Sequence, residues 1–200
     1  MSLPAPSETS SLVASELAEH LAVASKLQEQ IPFIEDLARR IFTSLEAGKK
    51  VLFFGNGGSA ADAQHLATEF VVRYRRTRRA LAAIALTTDT SILTAGANDF
   101  GFETVFARQI DALAQPGDVV IGISTSGTSA NVVAGLQAAK ERGCVVVAFT
   151  GAKASPCSDL ADSTFRAPST ITARIQECHL LVGHILCEWV DEQILSTPSA

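Results

Sequence analysis

Val119-Val-Ile-Gly-Ile-Ser-Thr-Ser-Gly-Thr-Ser129, followed by a helical pattern over 130–142, Gly143 and the run Cys144-Val-Val-Val-Ala-Phe-Thr150, is the stretch that decides the fold. Val119–Ile123 is too short for a helix and is entered through the turn signal Pro116-Gly117-Asp118. Both apolar runs are continuous rather than alternating, which marks strands buried on both faces of a sheet. A helical segment between two such strands makes a βαβ unit, and the strands it joins run parallel.

The same grammar extends in both directions. Val51-Leu-Phe-Phe54 leads through Gly55-Asn-Gly-Gly58 into a helix from Ser59 to about Arg73. A strand is expected over Ala82–Leu86, then helices over 91–97 and 103–113. A weak strand near Thr164–Arg166 precedes a final helix over about 172–195. Upstream, Leu12, Val13, Leu17, Leu21, Val23 and Leu27 recur at helical spacing. So do Ile31, Phe33, Ile34, Leu37, Ile41, Phe42 and Leu45, stopped by Gly48. The order predicts a three-layer α/β sandwich with a mostly parallel, doubly wound sheet in a single domain over residues 11–200. The two leading helices need a surface to cover, either the sheet or another subunit. The Pro- and Ser-rich residues 1–10 are expected to fray.

Composition excludes several classes. Of 200 residues, 47% are hydrophobic and 18% charged, enough to build a core and too apolar for a disordered chain. The runs Leu81–Leu86 and Cys144–Phe149 are far too short to span a bilayer, and the start at Met1 lacks the regions of a signal peptide. A net charge of −5 argues against a general nucleic-acid binder. Four scattered cysteines with no CxxC make no disulfide framework, so a cytoplasmic chain with reduced thiols is expected.

Ligands of doubly wound sheets bind where the strands end, which singles out residues 55–59 and 124–129. Ser124, Thr125, Ser126, Gly127, Thr128 and Ser129 open a helix, so hydroxyls and backbone N–H groups converge at the positive end of its dipole. Without the lysine of a P-loop, that cradle suits one phosphate monoester; alternatively the residues serve as turn formers, with Ser129 as helix cap. Gly55–Ser59 permits close backbone approach, and Ser59 with Asp62 reads as a capping box. On the following helix His65 and Glu69 stand one turn apart on one face. In the last helix Gln176 and His184 are eight apart, about 80° around the axis. Two imidazoles, a carboxylate and an amide oxygen make a donor set for a divalent metal, or else a set of solvated polar groups.

These residues, with Asp62-Ala-Gln-His65, Asn98-Asp-Phe-Gly-Phe102, Ser129-Ala-Asn131 and Arg174-Ile-Gln-Glu177, resemble the phosphoheptose isomerase group of the sugar isomerase (SIS) domain fold. The resemblance runs over residues 10–195. It implies a homotetramer with active sites at subunit interfaces that converts sedoheptulose 7-phosphate to D-glycero-D-manno-heptose 7-phosphate, feeding activated heptose synthesis. It implies zinc held by His65, Glu69, Gln176 and His184, and phosphate held by Ser124, Thr125, Ser126 and Ser129. It further implies sugar contacts from Asn56, Gly57, Gly58, Glu69, Asn98, Asp99 and Gln176, with Glu69 and His184 as acid/base pair. Ketose–aldose exchange needs such a pair, because a proton moves between C1 and C2 while the hydroxyls exchange theirs. The competing reading is a non-catalytic SIS-fold protein that binds a bacterial replication initiator. That group lacks the equivalents of Glu69 and His184. Ala173 stands where some isomerases carry Asp. The basic run Arg73, Arg75, Arg76, Arg78 and Arg79 reads as a solvated helix end, with Arg73 a candidate to face the site. Cys178 and Cys187 read as apolar packing.

Overall fold

A computed structural model describes residues 6–196, with side-chain surroundings from residue 11 onward. Five strands, β1 (Val51–Gly55), β2 (Ala83–Ala85), β3 (Val119–Ile123), β4 (Val145–Thr150) and β5 (Ser163–Arg166), form one sheet in the order β2-β1-β3-β4-β5. Every pairing is parallel, so the sheet is wholly rather than mostly parallel. Val51 pairs with Val119 and Gly55 with Ile123 across the centre.

Strand pleating explains the continuous apolar runs. Val51, Phe53, Val119, Ile121, Val147 and Phe149 point into a core shared with α2 (Ile31–Glu46), α3 (Gly58–Val71) and α8 (Thr172–Ser196). Leu52, Phe54, Val120, Val146 and Ala148 point the other way, against α5 (Val105–Leu113), α6 (Ala130–Glu141) and Cys157 of α7 (Pro156–Leu160). The three central strands β1, β3 and β4 thus need apolar residues along nearly their whole length, whereas the edge strands β2 and β5 do not. α4 (Thr90–Phe100) flanks the second core through half-buried Leu93 and Ala97 and is started by Asp89, whose side chain accepts from the Ile92 amide.

Several local expectations change. The first helix, α1 (Pro6–Ser25), begins earlier than expected, so residues 6–10 are helical and only 1–5 of the expected frayed segment lie outside the described residues. It gives way to a 3₁₀ turn at Lys26–Gln30, because Pro32 lacks an N–H and is tolerated only in the first turn of a new helix. The capping box at Ser59 and Asp62 does not form: Gly57, at φ +56°, occupies the cap position and α3 starts at Gly58. α7, stapled by a capping box between Ser155 and Ser158, was not expected.

Two contacts set α8 against the rest. At Gly183 a Cβ would meet Leu66 Cδ2 at 2.5 Å, so the absence of a side chain lets α3 and α8 approach. His179, 1% exposed between Phe149 and Phe165, donates its Nε2–H to the Thr150 carbonyl at 3.0 Å, and its Nδ1 is buried without a partner. Burial holds this imidazole neutral, down to about 4, against the weaker opposing pull of the Thr150 carbonyl.

Two predictions follow from this packing. Gly183→Ala costs about 1–3 kcal/mol of stability through overpacking, read as a lower thermal midpoint; an unchanged midpoint would show that the seam has room. In the unfolded chain His179 takes up a proton near pH 6.5, whereas the folded ring resists until about pH 4. Its contribution is complete above pH 6.5 and lost as pH falls toward 4, a swing of about 3 kcal/mol. The urea midpoint of His179→Gln is therefore expected to fall less steeply between pH 7.5 and 5 than that of the parent.

Candidate active site at the seam of two helices

Strand order reverses direction between β1 and β3, so the loops after these strands open side by side into a crevice. A reciprocal amide pair ties them together. Asn56 Nδ2 donates to Asn131 Oδ1 at 2.8 Å, and Asn131 Nδ2 to Asn56 Oδ1 at 2.9 Å. Asn131 is buried, and this bridging role was not expected from the sequence. At Gly55 a Cβ would meet the Ile123 carbonyl at 2.7 Å, so the tight exit from β1 requires glycine.

The hydroxyl loop is pre-folded by its own side chains. Ser124 Oγ lies 3.1 Å from Ser129 Oγ and accepts the Gly127 amide at 3.1 Å, while Ser126 Oγ accepts the Thr128 amide at 3.2 Å. Gly127, at φ +67°, faces Ser155 too closely to carry a side chain. Ser129 occupies the cap position of α6 but makes no side-chain cap bond, which leaves its hydroxyl with Ser124. Thr125 and Ser126 line a cavity of about 260 Å³ together with Gly151, Lys153, Ser169 and Thr172. Lys153 and Ser169 were missed by the sequence reading. Both lie where strands end, Lys153 after β4 and Ser169 after β5, which is the signal that singles out residues 55–59 and 124–129.

The second half of the site lies along the seam between α3 and α8. These helices run in parallel: Gly58 faces Gln176, Leu66 faces Gly183 and His65 faces His184. His65, Glu69 and His184 offer donor atoms that all lie within 4.8 Å of one another. His65 Nε2 is 2.7 Å from His184 Nε2 and 3.5 Å from Glu69 Oε1. At 2.7 Å one imidazole must present N–H to the lone pair of the other, so the pair cannot hold two full charges. Partial burial first, and His65 second, hold His184 below the usual imidazole range, with Glu69 opposing. Glu69 is more sheltered than His65, with 16% of its side chain exposed against 43%. Two imidazole nitrogens and a carboxylate oxygen aimed at one point from two helices fit a divalent cation. Gln176 packs by its amide nitrogen on Gly58, seven residues before His65 on the same face of α3.

Other expected residues sit differently. Asn98 and Asp99 bond each other at 2.7 Å on the exposed last turn of α4. Arg73 lies exposed past the end of α3; its neighbour Tyr74 turns inward and stacks on His184, with centroids 5.2 Å apart and planes at 24°. The basic run is not uniformly solvated. The Arg78 side chain is 1% exposed, pairs with Asp191 at 2.7 Å and donates to the Glu69 carbonyl at 2.7 Å. Asp62 has a buried Oδ2 without a partner, and burial raises its carboxyl above the usual range despite His65. Cys178 and Cys187 are buried packing residues, as expected. Among the described residues no helix is long and apolar enough to cross a membrane.

Comparison with known proteins identifies the family of the chain. The SIS domain family model matches residues 17–151. The phosphoheptose isomerase of Aquifex aeolicus (strain VF5) is 58% identical over 161 residues, covering 80% of this chain and 84% of that protein. The solved structure of the phosphoheptose isomerase from Neisseria gonorrhoeae superposes with a TM-score of 0.87 at 41% identity, covering 92% of this chain and 99% of that one. That from Francisella tularensis gives a TM-score of 0.89 at 32% identity, covering 92% and 98%. The chain therefore belongs to the SIS domain family, among its phosphoheptose isomerases, and is an aldose–ketose isomerase.

Proposed function

We propose that this site interconverts sedoheptulose 7-phosphate and D-glycero-D-manno-heptose 7-phosphate, the first step of activated heptose biosynthesis in the cytoplasm. The observation that carries the reading is the convergence of His65, Glu69 and His184, two potential proton carriers and a second imidazole, beside a loop of hydroxyls suited to a phosphate. A replication-initiator-binding role would need neither Glu69 nor His184.

The phosphate end is assigned to Ser124, Thr125, Ser126 and Ser129 at the start of α6, where hydroxyls and backbone N–H groups meet a dianion without a competing carboxylate in the cavity wall. Asn56, Gly57, Gly58 and Gln176 are assigned to the sugar chain between that end and the seam. Glu69 takes the proton from C1 and returns it to C2, while His184, held neutral at rest, passes a proton between the O1 and O2 hydroxyls. Glu69 turns Oε1 toward His65, which leaves its second oxygen for the carbon-bound proton. His65, Glu69 and His184, with Gln176 as fourth ligand, would hold zinc. When bound, zinc supplies positive charge against the negative charge that develops on the sugar oxygens.

The reading includes a homotetramer. Leu12, Val13, Leu17 and Leu21 of α1 are all more than half exposed, as are Phe100 and Phe102 beside Asn98 and Asp99. Apolar faces of that extent support burial against further copies, and Asn98 and Asp99 then reach a sugar bound in a neighbouring subunit.

The test is NMR of sedoheptulose 7-phosphate incubated with the protein in D₂O. An aldose product deuterated at C2, lost with chelator and restored by zinc, is expected; no product with any metal would overturn the reading. Glu69→Gln is expected to lower kcat by about 10²–10⁴-fold with the assembly intact. Ser124→Ala is expected to raise KM about tenfold with kcat little changed, and an unchanged KM would remove this loop from phosphate binding.

A further inference from the structure

The segment between α3 and β2, residues 72–82, is the part of the seam that the assigned roles leave unused. It leaves α3 directly after Glu69-Phe-Val71, crosses α8 and returns to the sheet edge. Leu81 enters the core, and two further side chains, Tyr74 and Arg78, turn inward toward the seam. Tyr74 is packed against the core on one side and lies nearly parallel to the His184 ring on the other, at 24° and 5.2 Å. Arg78 is anchored in the interior: Nε donates to Asp191 Oδ1 of α8 at 2.7 Å, Nη2 to the Glu69 carbonyl at 2.7 Å and Nη1 to the Arg79 carbonyl at 3.0 Å. One strap therefore touches both groups assigned to proton transfer, one through its ring and the other through its backbone.

We propose that Tyr74 is a positioning residue for His184, its ring fixing the imidazole plane so that Nε2 stays aimed at His65 and Glu69, and that the Arg78–Asp191 pair holds the strap carrying it. The inference rests on the isomerase reading above. An imidazole on a helix surface rotates freely about its outer side-chain torsion, which is broad and roughly two-fold. Two ring neighbours limit that torsion. His65 approaches His184 edge-on at 70°, so it meets the tip of the ring and leaves the face open. Tyr74 covers the face, and an offset ring pair of this kind is favourable in its own right. The hydroxyl of Tyr74 has no part in this argument, which separates the ring's role from proton chemistry by the phenol.

Three variants with three readouts test it. Tyr74→Phe keeps the stacked face, and its kcat is expected within about twofold of the parent. Tyr74→Leu fills similar space without a π-face, and kcat is expected to fall about tenfold or more with KM within threefold, because the fault lies in alignment and not in substrate contacts. Zinc affinity, read by competition with a chromogenic chelator, is expected to weaken about tenfold in the Leu variant and to hold in the Phe variant. In metal-free protein the His184 ring-proton resonance, shifted by the stacked ring, is expected to move in Leu and stay in Phe. Arg78→Met is expected to move that resonance as well, with Tyr74 unchanged. A Leu variant with parental kcat would overturn the proposal, and so would a Phe variant as slow as Leu. If the parent shows no isomerase activity, the reading of function fails, while the resonance and zinc measurements still decide the role of Tyr74.

Discussion

The missing side chain at Gly183 is the constraint on which the site depends. Leu66, a core residue of α3, occupies the space that any larger residue at 183 would claim, and the helices close on each other there. His65 precedes Leu66 and His184 follows Gly183, so a packing contact in the core sets the approach of two polar residues at its rim. Because α3 and α8 run in parallel, Gln176 and Gly58 meet at one end of the same seam and Glu69 and His184 toward the other. A row of polar side chains along two helices inherits the rigidity of those helices, which sites built on loops lack.

Positioning of the hydroxyl loop follows from the sheet. Strand order β2-β1-β3-β4-β5 leaves the crevice between β1 and β3, and the Asn56–Asn131 amide pair bolts its two lips together. Each amide satisfies the other, which sets the spacing of the lips. The serine loop beside them is likewise held by its own hydroxyls, with Gly127 supplying the one backbone conformation a side chain would forbid. Gln176 on Gly58 then links crevice and seam, which puts both halves of the site on a single frame.

Much of this was legible in the sequence, for a physical reason. Strands buried on both faces must be apolar at every position, so 51–54, 119–123 and 144–150 declare themselves without a partner in view. His65 and Glu69 were legible because helical spacing alone makes them neighbours. His184 joins them only through the α3–α8 contact, which spacing cannot supply, and the family resemblance provided it. Arg78 was lost among four other arginines: nothing local distinguishes a guanidinium that is buried from its solvated neighbours, because its partner Asp191 lies 113 residues away. The capping box at Ser59 and Asp62 failed for a comparable reason. Gly57 can take a positive φ that starts the helix a residue earlier, and Asp62 is left half-buried on the helix face instead.

The Arg78–Asp191 pair is costly as a source of stability. Both side chains are 1% exposed, and Asp191 Oδ2 is buried without a hydrogen bond, so the carboxylate recovers only part of the hydration it gives up. An apolar pair of the same volume would hold strap and helix together at least as well, since desolvation of two ions often exceeds their attraction. What an apolar pair cannot do is choose one register. The planar guanidinium reaches Asp191, the Glu69 carbonyl and the Arg79 carbonyl at once, and these three acceptors fix its position in three directions. The contact lies directly behind Glu69, on the strap that lays Tyr74 over His184, so what its desolvation costs in stability it returns as a fixed register of strap and helices.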